Sequence, residues 1–133
     1  MGTLLDAYAL IALLAQEPAE PEVSRILRRG DASMPSVNLA EVLDHLERRE
    51  GLDEDRLRDL IDQLPIEVVP LSEPLAWHAA ALRARHYHRR RRPVSIADCV
   101  LVASAERGDR VATNDAAVFE IARAEGISVL ELD

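Results

Sequence analysis

Lysine is absent: all 16 basic residues of this 133-residue chain are arginines. That removes chemistries built on a Schiff-base lysine, a P-loop lysine or the lysine of a receiver-type phosphoacceptor site. Cysteine occurs once, at Cys99, which excludes an intrachain disulfide and fits a reducing cytoplasm. Aromatics make up only 3% of residues, so Leu, Val, Ile and Ala must build the core. Such a core suits helices and buried parallel strands better than a sandwich or barrel. Long apolar runs are missing too. The longest, Ala7 to Ala15, falls short of the roughly 20 residues that cross a bilayer. It follows Asp6 with no basic segment before it, unlike a signal peptide. Basic charge is outnumbered by 24 acids, giving a formal net charge of −8 and a pI near 5.0. That balance argues against whole-surface attraction to nucleic acid but leaves room for a local basic patch.

The remaining composition, 48% hydrophobic and 30% charged, is that of an ordinary globular chain. Its length predicts one domain, residues 1–133, without membrane spans and located in the cytoplasm. Short β-like runs alternate with longer helical ones. Strands are predicted at Thr3–Leu5, Ser33–Pro35, Ile66–Val69, Arg110–Ala112 and Ser128–Leu130. Helices are predicted at Ala7–Gln16, Pro21–Arg29, Asn38–Glu50, Asp53–Gln63, Ser72–Arg91, Ser95–Arg107 and Ala116–Glu125. Strands separated by helices imply crossovers and a small parallel sheet covered by helices on both faces, an α/β fold. Ligands of such sheets bind beyond the carboxyl ends of the strands.

Four acids fall at positions of that kind. Asp6 follows the first strand, Glu41 lies in the first turn of the helix after the second, Asp98 lies in the first turn of the helix opened by Ser95, and Asp115 comes just after Arg110–Ala112. The helix carrying Asp98 is apolar nearly all round, so its carboxylate needs a compensating partner. Taken singly, capping explains each acid as well as function does. Asp6 and Asp115 are natural N-caps, and Ser95-x-x-Asp98 and Asn38-x-x-Glu41 have the form of capping boxes. The set is harder to explain that way. Converging carboxylates raise one another's pKa unless a cation sits among them, and an oxygen-only donor set points to Mg²⁺ or Mn²⁺.

The segments Leu4-Leu5-Asp6-Ala7-Tyr8-Ala9-Leu10, Asn38-Leu39-Ala40-Glu41-Val42, Ser95-Ile96-Ala97-Asp98 and Ala112-Thr113-Asn114-Asp115 resemble the four signature segments of PIN domains. Their order and spacing, over essentially the whole chain, resemble the VapC toxins of bacterial toxin–antitoxin pairs. The resemblance implies a single PIN-like domain that cleaves RNA with Mg²⁺ or Mn²⁺ as cofactor. It also implies a homodimer inhibited by a cognate antitoxin protein. Carried over by position, Asp6, Glu41, Asp98 and Asp115 form the acidic catalytic site, with Asp6 and Asp98 as foremost metal ligands. Glu41 and Asp115 bind directly or through water, and Thr113 is a hydroxyl neighbour. Ala7-Tyr8 departs from the Ser or Thr that many relatives carry after the first Asp.

Arg83 to Arg92 holds six arginines and no acid. It is the candidate RNA-phosphate contact, through Arg83, Arg85, Arg89 and Arg91, or else the solvated end of a helix. On a helix His86 and His88 diverge, which argues against a zinc site. Trp77 and Phe119 are expected against the sheet or at a dimer contact, Cys99 as a small buried apolar residue, His45 and His78 as structural or exposed, and Asp44, one turn after Glu41, as solvent-exposed or else sharing the acidic pocket. A metal-dependent endoribonuclease toxin is the leading functional expectation. The alternative is a catalytically inactive PIN-like module that binds RNA or protein.

Overall fold

Parallel strands place every residue that follows a strand at one edge of the sheet, and this topology organises the molecule. The computed structural model describes all 133 residues. Five strands, β1 (Thr3–Leu5), β2 (Ala32–Pro35), β3 (Ile66–Val69), β4 (Arg110–Thr113) and β5 (Ser128–Glu131), form one sheet in the order β3-β2-β1-β4-β5. Every pairing is parallel. Seven helices connect them: α1 (Ala7–Leu14), α2 (Glu20–Arg28), α3 (Ser36–Glu50), α4 (Glu54–Asp62), α5 (Glu73–His86), α6 (Ile96–Ala103) and α7 (Ala116–Ala124). The chain runs outward from β1 through β2 to β3, then returns to lay β4 on the other flank of β1. The strand order therefore switches between β1 and β4, where ligands of open α/β sheets bind.

Side chains alternate across each strand and feed two cores. Leu5, Met34 and Ala112 pack with Leu10, Val23, Ile26, Val42, Leu46 and Leu57 of α1 to α4 on one face. Leu4 and Val111 pack with Leu82, Leu101, Val118 and Ile121 of α5 to α7 on the other. The expected parallel sheet with helices on both faces is the fold observed. α6 buries Ala97 and the whole stretch Cys99 to Ala103, as its apolar composition requires. α3 ends on Gly51, which adopts φ 67° and caps the helix through its N–H to the Leu46 carbonyl.

Three of the differences from the expected helix boundaries have a clear local cause, and the others are shifts of one or two residues. α3 starts at Ser36, with Pro35 in the capping position and no side-chain cap, so Asn38 and Glu41 form no capping box and Glu41 stands in the second turn. α6 ends at Ala103, where the Ser104 hydroxyl donates back to the Val100 carbonyl at 2.7 Å. α5 stops at His86 instead of continuing to Arg91. Tyr87 turns extended, and His88 and Arg92 exchange backbone hydrogen bonds at 2.9 Å across a tight turn. The His88 imidazole Nδ1 accepts from the Arg90 and Arg91 N–H groups at 3.2 and 3.0 Å, bonds that compete with helix. Pro93 biases Arg92 away from helical backbone, and adjacent arginines repel, so the turn wins.

Leu101 is fully buried in the core beneath α5 and α7. Leu101→Ala is expected to lower stability by about 2–5 kcal/mol, measured by urea unfolding. A loss under about 1 kcal/mol would contradict the packing described.

Candidate active site

Asp6 leaves β1 at the switch point and caps α1. It is 8% exposed, its Oδ1 accepts from the Ala9 N–H at 3.0 Å, and its Oδ2 accepts from the Thr113 hydroxyl at the end of neighbouring β4. The Asp6 N–H also donates to the Ala112 carbonyl at 3.3 Å, which ties the two strand ends together. Thr113 is wholly buried, and its hydroxyl oxygen in turn accepts from the Asp115 N–H at 3.0 Å. Asp115 caps α7, with Oδ1 accepting from the Ala117 N–H at 2.8 Å. Asp98 closes a capping box at the start of α6. Its Oδ2 accepts from the Ser95 N–H, and the Ser95 hydroxyl accepts from the Asp98 N–H, both at 3.1 Å. Glu41, on α3, accepts at Oε1 from Asn38 Nδ2 at 3.2 Å.

Capping is therefore real at Asp6, Asp98 and Asp115, yet it leaves charge unanswered. Each cap at Asp98 and Asp115 engages one carboxylate oxygen and leaves the other without a hydrogen bond. Burial pushes the Asp6 carboxyl from 3.8 up to about 6, against the pull of the Thr113 and Ala9 hydrogen bonds, and the charges of Asp98 and Asp115 push it further. Burial also raises Asp98, with Asp115 adding to it, and raises Glu41, with Asp98 adding to it. No arginine answers these four carboxylates: none of the chain's ion pairs involves them. The structure thus brings the four predicted acids and Thr113 into one electrostatic neighbourhood at the carboxyl edge of the sheet. As they stand, no three His, Cys, Asp or Glu side chains are gathered closely enough to hold an ion.

Donor chemistry and surroundings nonetheless fit a hard divalent cation. Every candidate ligand is oxygen, the coupled carboxylates lack a counter-cation, and Asn38 Oδ1 beside Glu41 is buried without a hydrogen-bond partner. Asn38, expected as a cap and as the first residue of a PIN-like segment, instead holds Glu41. Its signal was its place one helical turn before Glu41.

The arginine segment divides in two. Arg83 Nε donates to the Val94 carbonyl at 3.0 Å and its guanidinium stacks 4.5 Å from the Tyr87 ring. Arg85 pairs with Glu125 at 2.7 Å, and Arg92 Nε donates to the His86 carbonyl at 2.9 Å. Arg89, Arg90 and Arg91 are exposed on the turn, and their side chains bond to no carboxylate. His86 is buried and meets Glu125 at 2.7 Å, away from the acids. Cys99 is fully buried and its thiol is pushed up to about 11 by that burial, so it behaves as a small apolar residue. Trp77 does not pack on the sheet: it is 72% exposed on α5. Asp44 turns away to Arg48 at 2.7 Å.

The molecule is thus a parallel α/β fold with a hydroxyl-braced carboxylate at its switch point. The PIN domain family model matches residues 3–124, and the chain belongs to that family. Among solved structures it is similar to DNA-bound VapBC from Salmonella typhimurium, at 24% identity and TM-score 0.74 over 98% of each chain. It is similar also to VapBC2 from Rickettsia felis bound to a promoter DNA fragment, at 14% identity and TM-score 0.73 over 100% of each chain. FitAcB from Neisseria gonorrhoeae is 21% identical, with TM-score 0.70 over 97% of this chain and 96% of that one. No curated protein matches the sequence. No helix is long and apolar enough to cross a membrane.

The raised Asp6 pKa has a sign that can be tested. The folded protein holds a proton that the unfolded chain has lost, so this stabilisation is complete below about 4 and disappears as pH rises through about 6. Between those limits the wild type is expected to lose roughly 3 kcal/mol relative to Asp6→Asn, measured by denaturant unfolding without metal. Thr113→Val, which removes a bond to the charged form, should raise the Asp6 pKa further in a carboxyl NMR titration. Parallel pH profiles for wild type and Asp6→Asn, with no Thr113 effect, would contradict the burial argument.

Proposed function

We propose that the chain is a VapC-type toxin, a metal-dependent endoribonuclease that hydrolyses RNA phosphodiester bonds. The observation that carries this is the coupling of Asp6, Glu41, Asp98 and Asp115 at the switch point of a PIN fold, without a basic partner. Asp6 and Asp98 are assigned as the foremost ligands of Mg²⁺ or Mn²⁺, with Glu41 and Asp115 binding directly or through water. When bound, the ion compensates charge on the leaving oxygen and makes a hydroxide available near neutral pH.

The chain's own groups prepare that chemistry. Thr113 and the Ala9 N–H hold both Asp6 oxygens and favour its charged form at neutral pH. The capping box fixes Asp98 through one oxygen and keeps the other available. Asn38 orients Glu41, which is assigned to align the attacking water. Arg89, Arg90 and Arg91, on the turn that leads into α6, are assigned to RNA phosphates. The restraint of Arg83 and Arg85 by Val94, Tyr87 and Glu125 gives those two a mainly structural share in that contact.

Regulation belongs to the same proposal. The similar solved structures include toxin–antitoxin complexes, which supports a cognate antitoxin as partner. An antitoxin arginine entering the uncompensated acidic site would pair bidentately with carboxylate and compete with the cation. Self-association as a homodimer is part of the reading, and the exposed Trp77 offers it apolar surface.

Incubation with total RNA is expected to give new cleavage ends in Mg²⁺ and none in EDTA. Asp98→Asn retains an oxygen that can accept from Ser95, so it should abolish cleavage while changing stability by less than about 1 kcal/mol. Asp98→Ala should lose cleavage and also about 1 kcal/mol of helix capping. Undiminished cleavage in EDTA would contradict the metal mechanism. Binding of RNA without cleavage in any divalent ion would favour a catalytically inactive module.

A further inference from the structure

A second arginine group gathers at the opposite edge of the sheet. Arg25 and Arg28 stand in the last turn of α2, Arg29 caps it, and Arg110 opens β4. Alternation along β4 puts Arg110 on the same sheet face as Ala112, the face that α2 covers. All four line one cleft of about 540 Å³, with Glu22, Ile26 and Leu130 completing its wall. None of them makes an ion pair, although the chain carries 24 acids, and Glu22 pairs with none of them. Arg110 Nε has one side-chain partner, the Thr3 hydroxyl oxygen at 2.9 Å.

The carbonyl end of α2 accounts for Arg25 and Arg28. It does not account for a fourth guanidinium arriving from a strand far along the sequence, or for the lack of an ion pair to any of the four when Glu22 lines the same cleft. Four unpaired cations facing one cleft repel, and an anion reaching several of them relieves the repulsion. Guanidinium forks match phosphate oxygens bidentately, and Ile26 and Leu130 supply an apolar wall for a ribose or base. β5 joins the two edges. Ser128 lies in register with Arg110, and Glu131 with Thr113 of the acidic site. That is a separation of about 10 Å along the strand, within reach of one single strand of nucleic acid.

Building on the RNA-cleaving reading above, we propose that this cleft holds the phosphate backbone of the RNA substrate on one flank of the cut. The test variant is Arg25→Gln with Arg29→Gln, two exposed residues without ion pairs. Binding is measured by anisotropy in EDTA, using single-stranded RNAs of about 20 and about 5 nucleotides and a DNA duplex of the longer length. The double variant should bind the longer RNA about tenfold more weakly, with a salt slope shallower by roughly 1.4, and bind the shorter RNA unchanged. Replacement by Lys at both positions should restore part of the loss. Unchanged affinity for the longer RNA, equal losses for both lengths, or a loss confined to duplex DNA would overturn the assignment. Cleavage of total RNA by the wild type in Mg²⁺ is read in parallel. If the wild type cleaves and the variant binds normally, the arginine cleft alone is refuted. If the wild type neither binds nor cleaves RNA, both readings fall.

Discussion

The hydrogen bond from Thr113 to Asp6 joins the two strands between which the chain reverses direction across the sheet. The proposed acidic site is built on that junction. It buries a carboxylate at the mouth of the sheet, fixes both its oxygens, and through the Thr113 oxygen positions the N–H of Asp115. Burial charges a cost for this, visible as an Asp6 carboxyl at about 6. A fold selected only for stability would place an arginine there or neutralise the site. This chain has 16 arginines and puts none of them in an ion pair with the four acids.

Capping and metal binding are often treated as rival explanations of acids at helix starts, but here they are compatible. A cap needs one carboxylate oxygen, and Asp98 and Asp115 each give one, leaving a second for other use. The caps also hold the two carboxylates at the positive ends of α6 and α7, where their charge is favoured. Glu41 differs, since it lies in the second turn of α3 and is oriented by Asn38 instead of by backbone N–H groups.

Much of this was legible in the sequence. Asp6 and Asp115 follow apolar runs flanked by helices, so parallel pairing forces them to one edge, and the apolar surroundings of Asp98 advertise a carboxylate in need of a partner. Long-range partners were not legible. Arg85 finds Glu125 and Arg83 finds the Val94 carbonyl only after α5, α6 and α7 pack together. The early end of α5 was hidden because helical periodicity continues past His86, while the decisive interactions are local bonds from His88 to the backbone of the turn. The cleft of Arg25, Arg28, Arg29 and Arg110 was invisible for the same reason, since β4 supplies the fourth member from far along the chain.

The central claim is that the strand-end acids form one electrostatic unit completed by a divalent cation. Calorimetric titration of the purified protein with Mg²⁺ or Mn²⁺ at pH 6, in buffers of different ionisation enthalpy, tests it directly. The account predicts binding coupled to net proton release, because burial pushes Asp6 up to about 6 and also raises Asp98 and Glu41, and protonated carboxyls must ionise to bind. Asp6→Asn should weaken binding and reduce that release. Binding without proton release, or binding unaffected by Asp6→Asn, would contradict it.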